Sequence, residues 1–329
     1  MTDVRIKVPV NLTPDTVVPF SRVIDSFPVG ERYIFDLAHL NYVEPFGMLL
    51  CAAVLRRFIA ERRTADQTPT PEFVAVGHQD NSYAAHMGFY QSFGLDYGKA
   101  PGQARGSSTY LPITELPISE LYKRARYGPV GRAIEEEAER LTRILLQQEF
   151  GATFEAVSYA LCEVIRNVVD HSGAESLWYA AQYWHRRDRV EIALLDQGIG
   201  IRKSLRRNPQ HDVPTDREAL LLAIRPGVSG APPPKEEDMF RHDPWQNTGY
   251  GLFVTSMLGA ERGAFAICSG SAYLSLANGW RHIHDCRLPG VALRLVLRTT
   301  DEERIKAFIR RLLSEEQLRG ALRSKSLLS

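Results

Sequence analysis

Residues 153–171, TFEAVSYALCEVIRNVVDH, and 190–200, VEIALLDQGIG, decide how the second half of this chain folds and what it can hold. In the first stretch Phe154, Val157, Leu161, Val164, Ile165 and Val168 gather on one face at the ~100° step of an α-helix. Glu163, Asn167 and His171 fall at i, i+4 and i+8, forming one polar stripe beside that apolar face. Taken alone, such a stripe is an ordinary solvated flank. The second stretch reads as an apolar strand, preceded by another over 176–183 and joined to it by the polar turn 185–189. It ends in Asp196-Gln197-Gly198-Ile199-Gly200, where a carboxylate at a strand end can face a ligand and two spaced glycines let backbone come close.

Further along, 225–246 contains Pro226, Gly227, Gly230, Pro232, Pro233 and Pro234, which predicts a long irregular loop of the kind that forms lids. It runs into Asn247-Thr248-Gly249-Tyr250-Gly251-Leu252, directly ahead of an apolar helix over 253–258. A Gly-x-Gly at a helix start leaves backbone N–H groups and the positive dipole end free for phosphate.

In identity, order and spacing these segments resemble the GHKL (Bergerat-type) ATPases: Glu-x-x-x-Asn on a helix, Asp-x-Gly-x-Gly after a strand, a Pro/Gly-rich lid, then Gly-x-Gly-Leu opening a helix. That family includes histidine kinases, anti-sigma serine kinases, topoisomerase subunits and mismatch-repair ATPases. GAFAICSGSAYLSL (263–276) and LPGVALRLVL (288–297) look like its closing strands, with Gly290 near its last glycine motif. The resemblance spans 151–300 and implies a Bergerat-fold α/β sandwich that binds ATP and Mg²⁺. It implies that Asn167 ligates Mg²⁺ through its side-chain oxygen, and that Glu163 acts as general base toward a water or hydroxyl. It further implies that Asp196 accepts a hydrogen bond from the adenine amine, while Gly198 and Gly200 admit the base and the ribose-side backbone. Thr248, Gly249, Tyr250 and Gly251 would surround the phosphates. His171 matches a frequent family position, either touching ligand or supporting the helix.

Toward the N-terminus, strands over 33–37 and 72–76 alternate with helices over 46–62 and 81–87, which predicts a small α/β domain. FDLAHLNYVEPFGMLLCAAVLRRF (35–58) followed by AAHMGFYQSFGL (84–95) resembles a STAS-type regulatory domain, in which a strand runs into a turn and a switch helix. STAS antagonists carry Asp-Ser-Ser-Gly at that turn. Here it reads Glu44-Pro45-Phe46-Gly47, and neither Pro45 nor Phe46 has a hydroxyl to phosphorylate. The domain is therefore expected to recognise a partner.

The expected division is an α/β two-domain chain: a STAS-like domain with its linker over 1–112, the linker being the Gly/Ser/Pro-rich 98–112, then a connecting helical segment over 113–150, the ATP-binding domain over 151–300 and an amphipathic helix over 301–329. The helix 132–148 carries an apolar stripe of Ile134, Ala138, Leu141, Ile144 and Leu145, able to pack within the chain or on a second copy in a homodimer. The C-terminal helix, with Ile305, Phe308, Ile309, Leu312 and Leu313 on one side, would dock on its own domain or on a protein partner.

A length of 329 residues exceeds one ordinary core, and 44% apolar with 24% charged residues is the composition of a folded chain, not a disordered one. A net charge of +1 provides no global field for a polyanion, so nucleic acid is not indicated. Residues 1–10 alternate charged and apolar, and no run approaches ~18 apolar residues, so a soluble, cytoplasmic protein without membrane contact is expected. Cys51, Cys162, Cys268 and Cys286 are far apart in sequence and form no metal-type pair. The helix 132–148 lacks a phosphoacceptor His, and only 301–329 follows the ATPase-like region, which argues against a standard histidine kinase and against a transducer-bearing ATPase. Two readings remain: an ATP-binding regulatory protein whose lid and domains move on Mg-ATP binding with slow hydrolysis, or a serine/protein kinase resembling the anti-sigma kinases. The missing hydroxyls at the Glu44–Gly47 turn favour the first.

Overall fold

In the computed structural model, residues 3–64, 70–126, 128–231, 249–298 and 307 are described. The expected C-terminal helix apart from residue 307, Thr248, and 232–246 of the expected lid lie outside them. The fold is mixed α/β with both parallel and antiparallel sheets.

The first unit contains β1 (Asp3–Lys7), β2 (Asn11–Leu12), α1 (Pro14–Val23), β3 (Arg32–Asp36), β4 (Tyr42–Val43), α2 (Pro45–Thr64), β5 (Glu72–Val76), α3 (Ser82–His86) and α4 (Phe89–Ser92). Strands β1, β3 and β5 form a parallel sheet in that order, and β2 pairs with β4. The alternation at the N-terminus is that of a strand, burying Val4 and Ile6 while Asp3, Arg5 and Lys7 face out. Pro45 opens α2, and Gly47 is required in its first turn because a Cβ there would lie 1.9 Å from the Leu12 carbonyl oxygen.

The second unit contains β6 (Tyr110–Pro117), α5 (Ile118–Ala125), α6 (Val130–Leu146), α7 (Ala152–Asn167), β7 (Ser176–Trp184), β8 (Arg189–Asp196), α8 (Gly200–Leu205), α9 (Asp216–Ala223), α10 (Gly251–Arg262), β9 (Gly263–Ala277) and β10 (Trp280–Arg298). Its five strands form one antiparallel sheet in the order β6-β7-β8-β10-β9. The expected linker ends earlier than position 112, because 110–117 is the sheet's edge strand, and the expected boundary at 112 falls inside it. The helix over 130–146 packs within the chain: Ile134, Ala138 and Leu141 join the core formed with α7 and the sheet.

Both faces of this sheet are covered. Leu177, Tyr179, Ile192, Leu194, Leu293 and Leu295 point toward the α6, α7 and α10 side. The alternate positions Trp178, Ala180, Ala193, Leu195 and Ala292 belong to the same apolar core as the first unit's Phe46, Leu50 and Val54. The first unit is thus laid on one sheet face, with buried charges at the seam. Glu191 is fully buried and binds Arg189 Nη2 and Arg294 Nη2, both at 2.7 Å, while accepting the Phe46 N–H at 3.1 Å. Glu44 binds the same two arginines at 2.9 and 2.8 Å. Cys268 and Cys286, both free thiols, meet across β9 and β10 with sulfurs 2.7 Å apart. Among the described residues no helix is long and apolar enough to cross a membrane.

Candidate functional site

Helix α7 does not run regularly to His171. It passes at Val168–Ser172 into a π turn that closes on Gly173 in the left-handed conformation (φ 65°). The π turn brings the Ser172 carbonyl against the end of β8, where it accepts the Ile199 N–H at 2.8 Å. A Cβ on Gly198 would lie 2.2 Å from that carbonyl oxygen. The first glycine of Asp-x-Gly-x-Gly therefore permits contact between two chain segments; it is not among the cavity's lining residues. Gly200 (φ +78°) starts α8, whose Ile201 N–H donates to Ser269 Oγ at 3.0 Å, while that hydroxyl donates to the Gly290 carbonyl at 2.8 Å. Gly290 (φ +93°) has no room for a side chain, since its Cβ would lie 2.1 Å from the Asp196 carbonyl.

This framework encloses a cavity that brings Glu163, Asn167 and His171 of the α7 stripe together with Asp196 and Gly200. Gly249 and Gly251 close it from the start of α10, and Val228, Ser229 and Gly230 from the preceding turn. Tyr250 is not in the lining; its hydroxyl faces Gly227. The walls are apolar, from Val164, Leu194, Ile267 and Leu293. The space is narrow, about 100 Å³, below the ~300–1,000 Å³ of small-molecule pockets, so a ligand of that size requires the 228–230 and 249–251 rim to move. That rim is held by hydrogen bonds: Asn208 donates to the Ala231 carbonyl at 3.0 Å, and the His211 ring meets the Ser229 carbonyl at 3.0 Å.

Three side chains set the electrostatics. Asp196 is 3% exposed, and burial raises its pKa to about 6 despite hydrogen bonds from the Gly198 and Val291 backbone that pull it down. Burial also lowers the pKa of His171, against the neighbouring Asp170 carboxylate, which raises it. Glu163 is ion-paired at 2.7 Å to Arg166, and both side chains are 2% exposed. Arg166, which also donates to Cys162 Sγ at 3.4 Å, is a residue the sequence reading passed over. The available signal was an arginine at i+3 from a glutamate inside an otherwise apolar helix. Among the described residues no group of three or more His, Cys, Asp or Glu could hold a metal ion.

Gly251 sets how closely α10 approaches α7, since a Cβ there would lie 2.0 Å from Glu163 Cβ. Gly251→Ala is expected to push the α10 start off α7, lowering stability by ~1–3 kcal/mol as overpacking does. Urea unfolding measures this, and a midpoint equal to wild type refutes the close approach. No family model matches this chain, and no curated protein matches it.

Proposed function

We propose that the chain is an ATP-binding regulatory protein of the GHKL class, with a Bergerat-fold ATP-binding half and a STAS-like N-terminal unit laid on its sheet. One observation carries this reading: the helix stripe, the strand-end aspartate and the glycines at the start of α10, separated by up to 88 positions between Glu163 and Gly251, line one cavity. An apolar slot with the buried carboxylate of Asp196 in its wall suits a flat heterocycle with an exocyclic amine, and Asp196 is the acceptor for it. The glycine entry to α10 offers backbone N–H groups and a dipole end to phosphates. Asn167, half-buried in the cavity wall, fits Mg²⁺, which takes few protein oxygens and keeps waters and phosphate oxygens as its other ligands. Bound there, Mg²⁺ would neutralise phosphate charge.

Glu163 is the group available to orient and deprotonate a water, and Arg166 fixes the carboxylate's direction. The narrowness of the cavity supports a switch, because accepting ATP displaces the rim and with it the connection between α8 and α9, whose Asn208 and His211 are hydrogen-bonded to that rim. The first unit rests on the sheet through the Glu44–Gly47 turn, so its seam begins at β8, the strand that ends in Asp196. A serine/protein kinase is the alternative, favoured by the same placement of Glu163 in the cavity.

Glu163→Gln is expected to retain ATP binding and to lower turnover by about 10²-fold or more, the usual size of a lost general base. Glutamine is preferred to alanine because it leaves Arg166 a hydrogen-bond acceptor. Turnover unchanged from wild type removes Glu163 from the chemistry. The fate of a radiolabelled γ-phosphate separates the readings: label on a partner protein identifies a kinase, free phosphate an ATPase, and neither a binding switch.

A further inference from the structure

Two grooves open where the first unit meets the sheet, and they differ in charge. One is lined by Arg22, Arg57 and Arg287, each committed to a carboxylate: Arg22 to Asp285 at 3.6 Å, Arg57 to Asp25 at 2.9 Å and Arg287 to Asp25 at 3.1 Å. Glu61, 3.1 Å from Arg57 and 3.9 Å from Arg287, brings the carboxylates to three for the three arginines, so no net positive charge is left to offer. The other, about 570 Å³, lies between α2, α4 and the ends of β7 and β8, and is bordered by Arg56, Arg57, Arg63, Gln91, Trp178 and Gln197 without a single carboxylate. Arg57 is again neutralised, by Asp25 and Glu61. Arg56 and Arg63 are not: among the described residues neither forms an ion pair.

Arg56 is the more telling of the two. Its guanidinium lies 4.0 Å from the Trp178 ring centroid, and Nη1 donates to the Ser92 carbonyl at 2.7 Å. Its Nε is buried with no hydrogen-bond partner. Burial pulls its pKa down to about 10, opposed only by the more distant Glu115. A half-buried cation with no ion pair among the described residues is costly, and a buried N–H without an acceptor adds to that cost. The first cost is relieved by the arrival of an anion with oxygen acceptors in the adjoining groove. The Trp178 ring and the Ser92 carbonyl hold the guanidinium plane before any ligand arrives, which leaves a preset fork of donors. Arg63, exposed at the end of α2 with its guanidinium 5.4 Å from the Phe73 ring centroid, supplies the second charge from the groove's rim.

We propose that this groove is a binding site for a small phosphomonoester, its phosphoryl group held between Arg56 and Arg63. Two positive charges that form no ion pair among the described residues match a dianion better than a carboxylate, and a phosphate monoester carries between one and a half and two negative charges near neutral pH. The site is separate from the cavity on the other side of the sheet, and it does not depend on what that cavity binds.

Inorganic phosphate is the probe, titrated calorimetrically into the full chain at fixed ionic strength, with acetate as the singly charged control. Wild type is expected to bind one phosphate, with acetate weaker by about tenfold or more. Arg56→Gln should weaken phosphate by about tenfold or more and Arg63→Gln by about threefold or more, while Arg22→Gln in the neutralised groove leaves it unchanged. Should Arg56→Gln fail to fold, Arg63→Gln, at an exposed position, decides alone. Phosphate binding that persists undiminished in the arginine variants belongs to another site and overturns the proposal, as does acetate binding equal to phosphate or no phosphate binding at all.

Discussion

Asp196→Asn is expected to weaken ATP binding by about ten- to a hundredfold and, at the same time, to make the ligand-free protein more stable at pH 7.5. The two effects have one cause. The carboxylate is 3% exposed, and burial lifts its pKa from 3.8 to about 6. At pH 7.5 it is ionised both folded and unfolded, and the folded chain bears the penalty of burying the charge. The size of that rise corresponds to roughly 3 kcal/mol, of which an asparagine recovers a part, since its own amide N–H group also needs a partner. Because the folded pKa is raised, the favourable contribution of this residue is complete below pH 3.8 and disappears as pH rises through about 6. Thermal unfolding of wild type and variant should therefore diverge as pH rises from 4 to 7.

Affinity runs the opposite way. An amine donor binds the ionised acceptor more strongly than the neutral one, so ATP binding to wild type should weaken as pH falls from 7 through 6, beyond what the ligand's own titration causes. The Asn variant lacks the titrating group and supplies that control. A lost hydrogen bond to a buried charged group is worth ~1.5–3 kcal/mol, which is the basis for the expected drop. Calorimetry at two pH values checks it, and undiminished affinity in the variant removes Asp196 from base recognition.

How much of this was legible in sequence depended on whether the signal was local. The apolar stripe of α7 repeats at the helical period, so that Glu163, Asn167 and His171 could be placed on one edge before any coordinates. Strands β7 and β8 were equally plain as apolar runs. Their apolar residues fall on both faces, with Trp178 and Ala180 opposite Leu177 and Tyr179, and that pattern marks a sheet covered on both sides. The linker expected over 98–112 carried no information on this second cover, which is the N-terminal unit. Strand β6 escaped notice because it contains Pro112 and Pro117 beside a Gly/Ser-rich stretch. An edge strand tolerates proline where an inner strand does not, and β6 carries a register shift between Leu111 and Thr114. The π turn at Val168–Ser172 has no compositional marker at all, yet it places Ser172 against Gly198. The glycines of Asp-x-Gly-x-Gly were recognised, but Gly198 serves backbone contact and lies outside the cavity's lining, a distinction that only three-dimensional distances make.

The seam charges were visible as single polar letters in apolar strands, Glu191 in β8 and Arg294 in β10, but they are 103 residues apart and neither names the other. Arg294→Met is expected to be the most destabilising substitution at this seam, at ~3–5 kcal/mol, because it leaves Glu191 and Glu44 buried with only Arg189 between them. Burial works against the Arg294 cation, yet the Glu191 and Glu44 carboxylates more than offset this and hold it charged. Methionine keeps the volume and the apolar stem, so that the loss reports the charge and not a cavity. Adding Glu44→Gln to Arg294→Met removes one of the stranded carboxylates and should return part of the loss, a coupling of ~1 kcal/mol or more in a double-mutant cycle. Urea denaturation followed by Trp fluorescence measures both. Trp178 lies on the seam face, so an early fluorescence transition ahead of the loss of helix signal would mean that the first unit lifts off the sheet before either unit unfolds. If the single variant costs less than ~1 kcal/mol, the charged quartet does not hold the two units together and the apolar contact around Phe46 and Trp178 does so by itself.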